Sequence, residues 1–267
     1  DYFVELYNST KTRMESAEWF HTCRVAAERK AQLDELRRTV AHTPNGMRHI
    51  RMLERECKID EDARNAVERS TQQYLRGALE HHLTLLQHSR HLHAESVFTV
   101  ARLWLQNSGE AWLNDIVGEH VGRIASFKFL PIAYQLCSRL STEGDPSFQA
   151  HLQQLVLRIA QDHPHHVLLY LLSIKNGQLL PTDNSTDRDF SEYSKNVPVP
   201  KIDAASNLLQ QLETDTRHEG LLQTTSCLVQ AYIDLAHFDV RPFRERRIAF
   251  SHLPSSTTSP PLHQFLQ

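Results

Sequence analysis

An all-α fold, an irregular α-solenoid of stacked helix pairs, is what this sequence predicts, on three observations. Only 8 glycines occur in 267 residues, too few for a β-sandwich, a barrel or a Gly-loop nucleotide fold. Leu, Gln, Arg, Glu and Ala dominate, and these residues favour helix. Apolar residues recur at i, i+3, i+4 and i+7 in successive windows, and no stretch alternates with the period of a strand. The absence of a strict 34-residue repeat makes the stack irregular. With 40% hydrophobic and 23% charged residues, the composition is globular rather than disordered.

The elements follow in order. Residues 1–41 lack Pro and Gly and read as one or two long charged helices. Thr43-Pro44-Asn45-Gly46 is a turn signal. Helical spacing resumes at Met47 and continues through Ile50, Leu53 and Cys57. Asp60, followed by Glu61 and Asp62, has the form of an N-cap with an acidic first turn, so a new helix is expected from there to about His88. Val97, Val100, Ala101 and Trp104 form the next stripe, ended by Asn107-Ser108-Gly109. Leu113, Ile116, Val117, Val121 and Ile124 form another, then Phe129, Ala133, Leu136, Cys137 and Leu140. After the turn Gly144-Asp145-Pro146 comes Phe148, Leu152, Leu155, Val156 and Ile159. Pro164 ends that helix near Asp162 and suits the first position of the following one. That following helix, Val167 to Ile174, is apolar almost all round and is expected to be buried on more than one side. Residues 176–200 read as a long loop, then helices at about 202–216 and 219–238. The tail from Pro242, with Pro254 to Pro261, has the composition of a linker.

Charge and cysteines narrow the function. Lys and Arg (29) are interleaved with Asp and Glu (32) for a net charge of −3, which argues against direct nucleic-acid binding. Cys23, Cys57, Cys137 and Cys227 are scattered without a CxxC pair, as in reduced thiols with no zinc site. The longest apolar run, Val167 to Leu172, is too short to span a bilayer, and no signal peptide is visible, so no membrane role is expected. A chain opening on Asp1 rather than Met reads as a piece of a longer protein.

Candidate chemistry is sparse. His81, His82, His88, His91 and His93 cluster near one helix end, but a metal site needs three or four convergent ligands, so solvated imidazoles at a helix C-terminus are expected. His163, His165 and His166 flank Pro164, and an inter-helix turn is expected there rather than a ligand set or proton switch. Asp187-Arg188-Asp189-Phe190 lacks every companion motif of a kinase loop. Trp104, Trp112, Phe127, Phe129 and Tyr134 have too few basic neighbours for a base-stacking surface and are expected to pack in the core. Ser259-Pro260 has the form of a proline-directed phosphorylation site.

Phe127-Lys128-Phe129-Leu130-Pro131-Ile132-Ala133-Tyr134-Gln135-Leu136 is followed about thirty residues on by Ile159-Ala160-Gln161-Asp162-His163-Pro164-His165-His166. Together the two strings strongly resemble the late FAT region of the phosphatidylinositol-3-kinase-related protein kinases, in its ATM-like branch. Leu103 to Ser108 and Val229 to Ala236 fit the same region. The resemblance implies an α-solenoid: long charged helices over 1–93, C-terminal FAT repeats over 94–240 with a variable loop at 176–200, and a linker over 241–267 leading to a kinase domain. It implies structural hallmark positions at Lys128, Phe129, Leu130, Pro131, Asp162, His163, Pro164, His165 and His166, and no catalytic, cofactor or metal residue within this chain. The parent implied is a nuclear serine/threonine kinase of DNA double-strand-break signalling, with a cytoplasmic pool besides. Its kinase domain would hold ATP and Mg²⁺. Its partners would be that domain, the neighbouring solenoid, a second copy of the parent and DNA-break sensor proteins. The competing class is a stand-alone α-solenoid adaptor that binds partner peptides; a His-based metalloenzyme is a remote third.

Overall fold

The computed structural model describes residues 2–39, 44–177, 197–215 and 217–237, and every regular element among them is helical. The helices form two compact units, residues 1–85 and 86–267. The sequence readings at 178–196, including Asp187 to Phe190, and at 241–267, including Ser259-Pro260, lie outside the described residues.

The first unit is made of α1 (Tyr2–Met14), α2 (Ala17–Thr39) and most of α3 (Pro44–His88). Ser16 separates α1 from α2: its hydroxyl donates to the Arg13 carbonyl at 2.7 Å and accepts from the Trp19 N–H at 3.2 Å, capping the new helix. Tyr7 of α1 and Leu53, Leu75, Leu79 and Leu83 of α3 are buried in this unit, whereas α2 contributes only Leu33. Ion pairs add a link between α2 and α3. Arg29 of α2 reaches Glu56, at 3.3 Å, and Asp60 of α3, and Arg37 reaches Glu54 at 2.8 Å. An open groove of about 590 Å³, lined by Trp19, Cys23, Leu33 and Cys57 among others, runs between the two helices.

Two expectations fail in α3. Pro44, Asn45 and Gly46 are not a turn but the first residues of the helix, Pro44 at the position where a missing N–H costs nothing. Asp60 does not cap a new helix: α3 runs unbroken for 45 residues, and the Asp60 carboxylate is engaged by Arg29 from thirty-one positions upstream.

The second unit holds the last turn of α3, then α4 (Ala94–Gln106), α5 (Ala111–Val121), a 3-10 segment (Ser126–Ile132), α6 (Ala133–Ser138), α7 (Pro146–Asp162), α8 (Pro164–Lys175), α9 (Val199–Glu213) and α10 (Glu219–His237). The central pair is α7 and α8. α7 packs on α5, the 3-10 segment, α6 and α9; α8 packs on α6, α9 and α10. This is the stacking of an irregular α-solenoid. All apolar stripe residues read from the sequence between Val97 and Ile159 are buried. Each valine, leucine, isoleucine or phenylalanine among them contributes about 1.5–3 kcal/mol through the surface it removes from water. Trp104 meets Phe148 edge-to-face at 5.2 Å, joining α4 to α7. Gly144 turns the chain into α7 with φ +99°, a conformation other residues adopt only under strain, and Asp145 then caps α7 by accepting from the Phe148 N–H at 2.8 Å.

As expected, α8 is packed on more than one side, with Val167, Leu168, Leu171 and Leu172 buried against its neighbours, though Leu169 and Tyr170 stay exposed. Two further expectations are corrected. Residues 126–132 are 3-10 rather than α because Pro131 lies inside the segment and cannot supply an i→i−4 donor. Trp104 and Phe129 are core residues, whereas Phe127 and Tyr134 are exposed and Trp112 is half-buried. Tyr134 instead stacks edge-to-face on Tyr170 at 5.5 Å.

Candidate functional site

The two strings that carry the sequence resemblance meet in the second unit. Ser126, at the start of the 3-10 segment, donates its hydroxyl to Asp162 Oδ2 at 2.6 Å, and His163 Nε2 lies 3.2 Å from Ser126 Oγ. Ser, His and Asp side chains thus come together, but not as a nucleophile. The carboxylate accepts directly from the serine, whereas a catalytic triad needs it on the far nitrogen of the imidazole, orienting the base. Here the arrangement ties α7's last residue to the segment that crosses beneath it.

Lys128 is the centre of this site. Its side chain is only 2% exposed, and its ammonium donates to the carbonyls of Leu86 at 2.5 Å and Ser89 at 2.6 Å. These carbonyls belong to the last turn of α3 and its exit, where no intrahelical donors remain. A cation there is favoured by the helix dipole and by two lone pairs. Burial opposes it and pushes the Lys128 ammonium below the ordinary lysine value. Phe129 is buried beside it, Leu130 is half-buried and Pro131 is exposed.

His163 serves two helices at once. Its N–H closes α7 by donating to the Ile159 carbonyl at 2.8 Å, and its own carbonyl accepts from the His166 N–H at 3.1 Å, opening α8. Pro164 follows at the first position of α8. His165 and His166 are exposed and converge with nothing. Of the upstream imidazoles, His82 is buried, with its pKa lowered mainly by that burial, and His93 Nε2 sits 2.7 Å from Ser89 Oγ, while His81, His88 and His91 are exposed. Among the described residues no three His, Cys, Asp or Glu side chains are grouped to hold a metal ion. None of the described helices is long and apolar enough to cross a membrane.

Two residues of this brace were not singled out by their sequence pattern. Arg158 of α7 forks onto the Gly122 and Ile124 carbonyls, both at 2.7 Å, holding the exit of α5. Asn114, fully buried in α5, accepts from Trp104 Nε1 at 2.9 Å and donates to the Ser108 carbonyl at 2.9 Å and Asp145 Oδ1 at 3.1 Å. It thereby joins α4, α5 and the cap of α7. A polar residue inside an apolar stripe is the only signal the sequence offered for it.

The brace fixes helix ends against one another and holds no reactive geometry. No family model matches the chain. Over 252 residues, 90% of the chain, it is 29% identical to the serine-protein kinase ATM of Sus scrofa, and over 249 residues 26% identical to the serine/threonine-protein kinase ATM of Arabidopsis thaliana. Its fold matches the structure described as the FAT and kinase domain of CtTel1, with a TM-score of 0.61 at 19% identity, covering 89% of this chain and 15% of that one. A Tel1 kinase symmetric dimer matches at 0.59, over 88% of this chain and 9% of the other. In sequence and in fold, the chain resembles the FAT region of the ATM/Tel1 kinases. The chain spans 8% and 6% of the length of the two ATM relatives. In this FAT-like chain, the Lys128 and Asp162–His166 positions lie on one continuous brace.

Proposed function

We propose that this chain is the scaffolding and regulatory FAT region of an ATM-like serine/threonine protein kinase that signals DNA double-strand breaks in the nucleus, in DNA repair and the cell-cycle checkpoint. The observation that carries the reading is collinear similarity to ATM over 90% of the chain. A stack whose helix ends are fixed by polar ties such as that of buried Lys128 suits a stiff support. In this reading the helices pack on the parent's kinase domain and neighbouring solenoid. They bias access to the active site by favouring one of two conformers. ATP and Mg²⁺ belong to that kinase domain, encoded beyond Gln267. The parent pairs as a homodimer, as described for Tel1, and DNA-break sensor proteins act through it.

The test uses the full-length parent. Lys128→Met and Ser126→Ala, which loosen the brace without touching an active site, should raise basal phosphorylation of a serine-containing substrate and shrink the further stimulation by DNA ends. Unchanged basal activity in variants with a measurably weakened fold would reject the restraint. A reading frame with no kinase domain after Gln267 would reject the whole assignment in favour of a stand-alone adaptor.

A further inference from the structure

Between Arg48 and Lys58, α3 segregates its charges by face. Glu54 and Glu56 are drawn towards α2 by Arg37 and Arg29, and Asp60 just beyond is held by Arg29 as well. Arg48, Arg51, Arg55 and Lys58 are all exposed, and none is ion-paired among the described residues. At about 100° per residue these four fall within an arc of about 80°, on the side of α3 away from Leu53 and Cys57. Their spacing of three, four and three residues makes every neighbouring pair a like-charge pair at the distance where such pairs repel and cost helix stability. Arg24, Arg38, Arg64 and Arg76, by contrast, each meet a glutamate on their own helix. Met52 and Ile59, 48% and 66% exposed, lie along one edge of the cationic stripe. Asp62 ends it.

We infer that the outer face of α3 from Arg48 to Lys58 is a docking surface for an acidic, apolar-edged segment of a partner protein. The face is about 15 Å long, the length of three helical turns. It offers unrelieved positive charge in a row and an apolar margin. A segment with Glu or Asp at helical spacing beside Leu or Ile matches both. Phosphates would match the charges but leave Met52 and Ile59 without a counterpart, so a protein segment fits the surface better than a nucleic acid.

The test is fluorescence anisotropy on the full 267-residue chain. The probes are a labelled peptide with glutamates at helical spacing beside leucines, its glutamine counterpart, and a duplex DNA of similar charge. The glutamate peptide should bind, the glutamine peptide should not, and added salt should weaken the complex. Arg51→Glu/Arg55→Glu should weaken it by about tenfold or more, since each exposed pair lost also becomes a repulsion. The matching lysine peptide should bind that variant. Arg64→Glu/Arg69→Glu makes the same change in net charge outside the stripe and should have a much smaller effect. If the reversed variant loses helicity, Arg51→Gln/Arg55→Gln carries the comparison. The inference is overturned if the glutamate peptide fails to bind, if both reversals act equally, or if DNA binds the stripe more tightly than the peptide.

Discussion

Lys128 concentrates the energetics of the second unit in one side chain. Replacing it with Met keeps the volume but leaves the Leu86 carbonyl without a donor in a buried place. That change should cost about 1–3 kcal/mol, with a smaller addition from Ser89. Phe127→Ala one position earlier, at a side chain 40% exposed, should cost far less, and urea midpoints of the two variants check the difference. Acid behaviour has its own marker in Asp215, between α9 and α10. Its carboxylate accepts from Arg217 Nη2 at 2.6 Å and Nε at 3.0 Å and from the Arg217 N–H at 3.1 Å, and these contacts hold its pKa at about 2, against an ordinary 3.8. The folded value lies below the unfolded one. The stabilisation is therefore complete above the unfolded value and is lost as pH falls through about 2. The stability gap between wild type and Asp215→Asn should accordingly narrow as titrations move from about pH 5 towards pH 2.

At the scale of the element, the α7–α8 corner separates turn chemistry from ligand chemistry. Pro164→Gly should cost about 1 kcal/mol by loosening the unfolded chain and the helix start together. Leu168→Ala or Leu172→Ala should cost about 2–5 kcal/mol, because both side chains are buried. His165→Gln and His166→Gln should cost little, and chelator should leave every midpoint unchanged; a chelator-sensitive wild type would mean the imidazoles bind a metal. This corner was legible in advance because its determinants are local: an apolar stripe ending at Ile159, a proline, and a stripe beginning at Val167. The continuity of α3 was not. Asp60-Glu61-Asp62 has every local feature of a helix start, and what overrides it is Arg29 on another helix. The burial of Lys128 was equally invisible, since the carbonyls that compensate it lie about forty positions upstream. Leu169 and Tyr170 are apolar but exposed, which apolar content alone could not distinguish from their buried neighbours.

For the whole molecule, the stripes between Val97 and Ile159 were enough to give the architecture, because periodic burial is what a helix stack consists of. Function was legible only through the resemblance of two strings, and the structure brings those strings into one brace. The chain on its own should show no saturable ATP binding by calorimetry, since neither a Gly-rich loop nor a metal-binding Asp-Phe-Gly is present. The single residue His163 between α7 and α8 leaves this architecture no slack. Two helices joined through one residue share a rotational phase, like gears cut on one shaft. One alanine inserted before Pro164 would advance α8 by about 100°. Leu168 and Leu172 would then swing out of the core while His166 and Tyr170 swung into it, and Val167 and Leu171 would be moved into the places those leucines had left. Changes in chain length between related proteins must therefore collect at other connections, and this corner should keep its residue count even where its side chains differ.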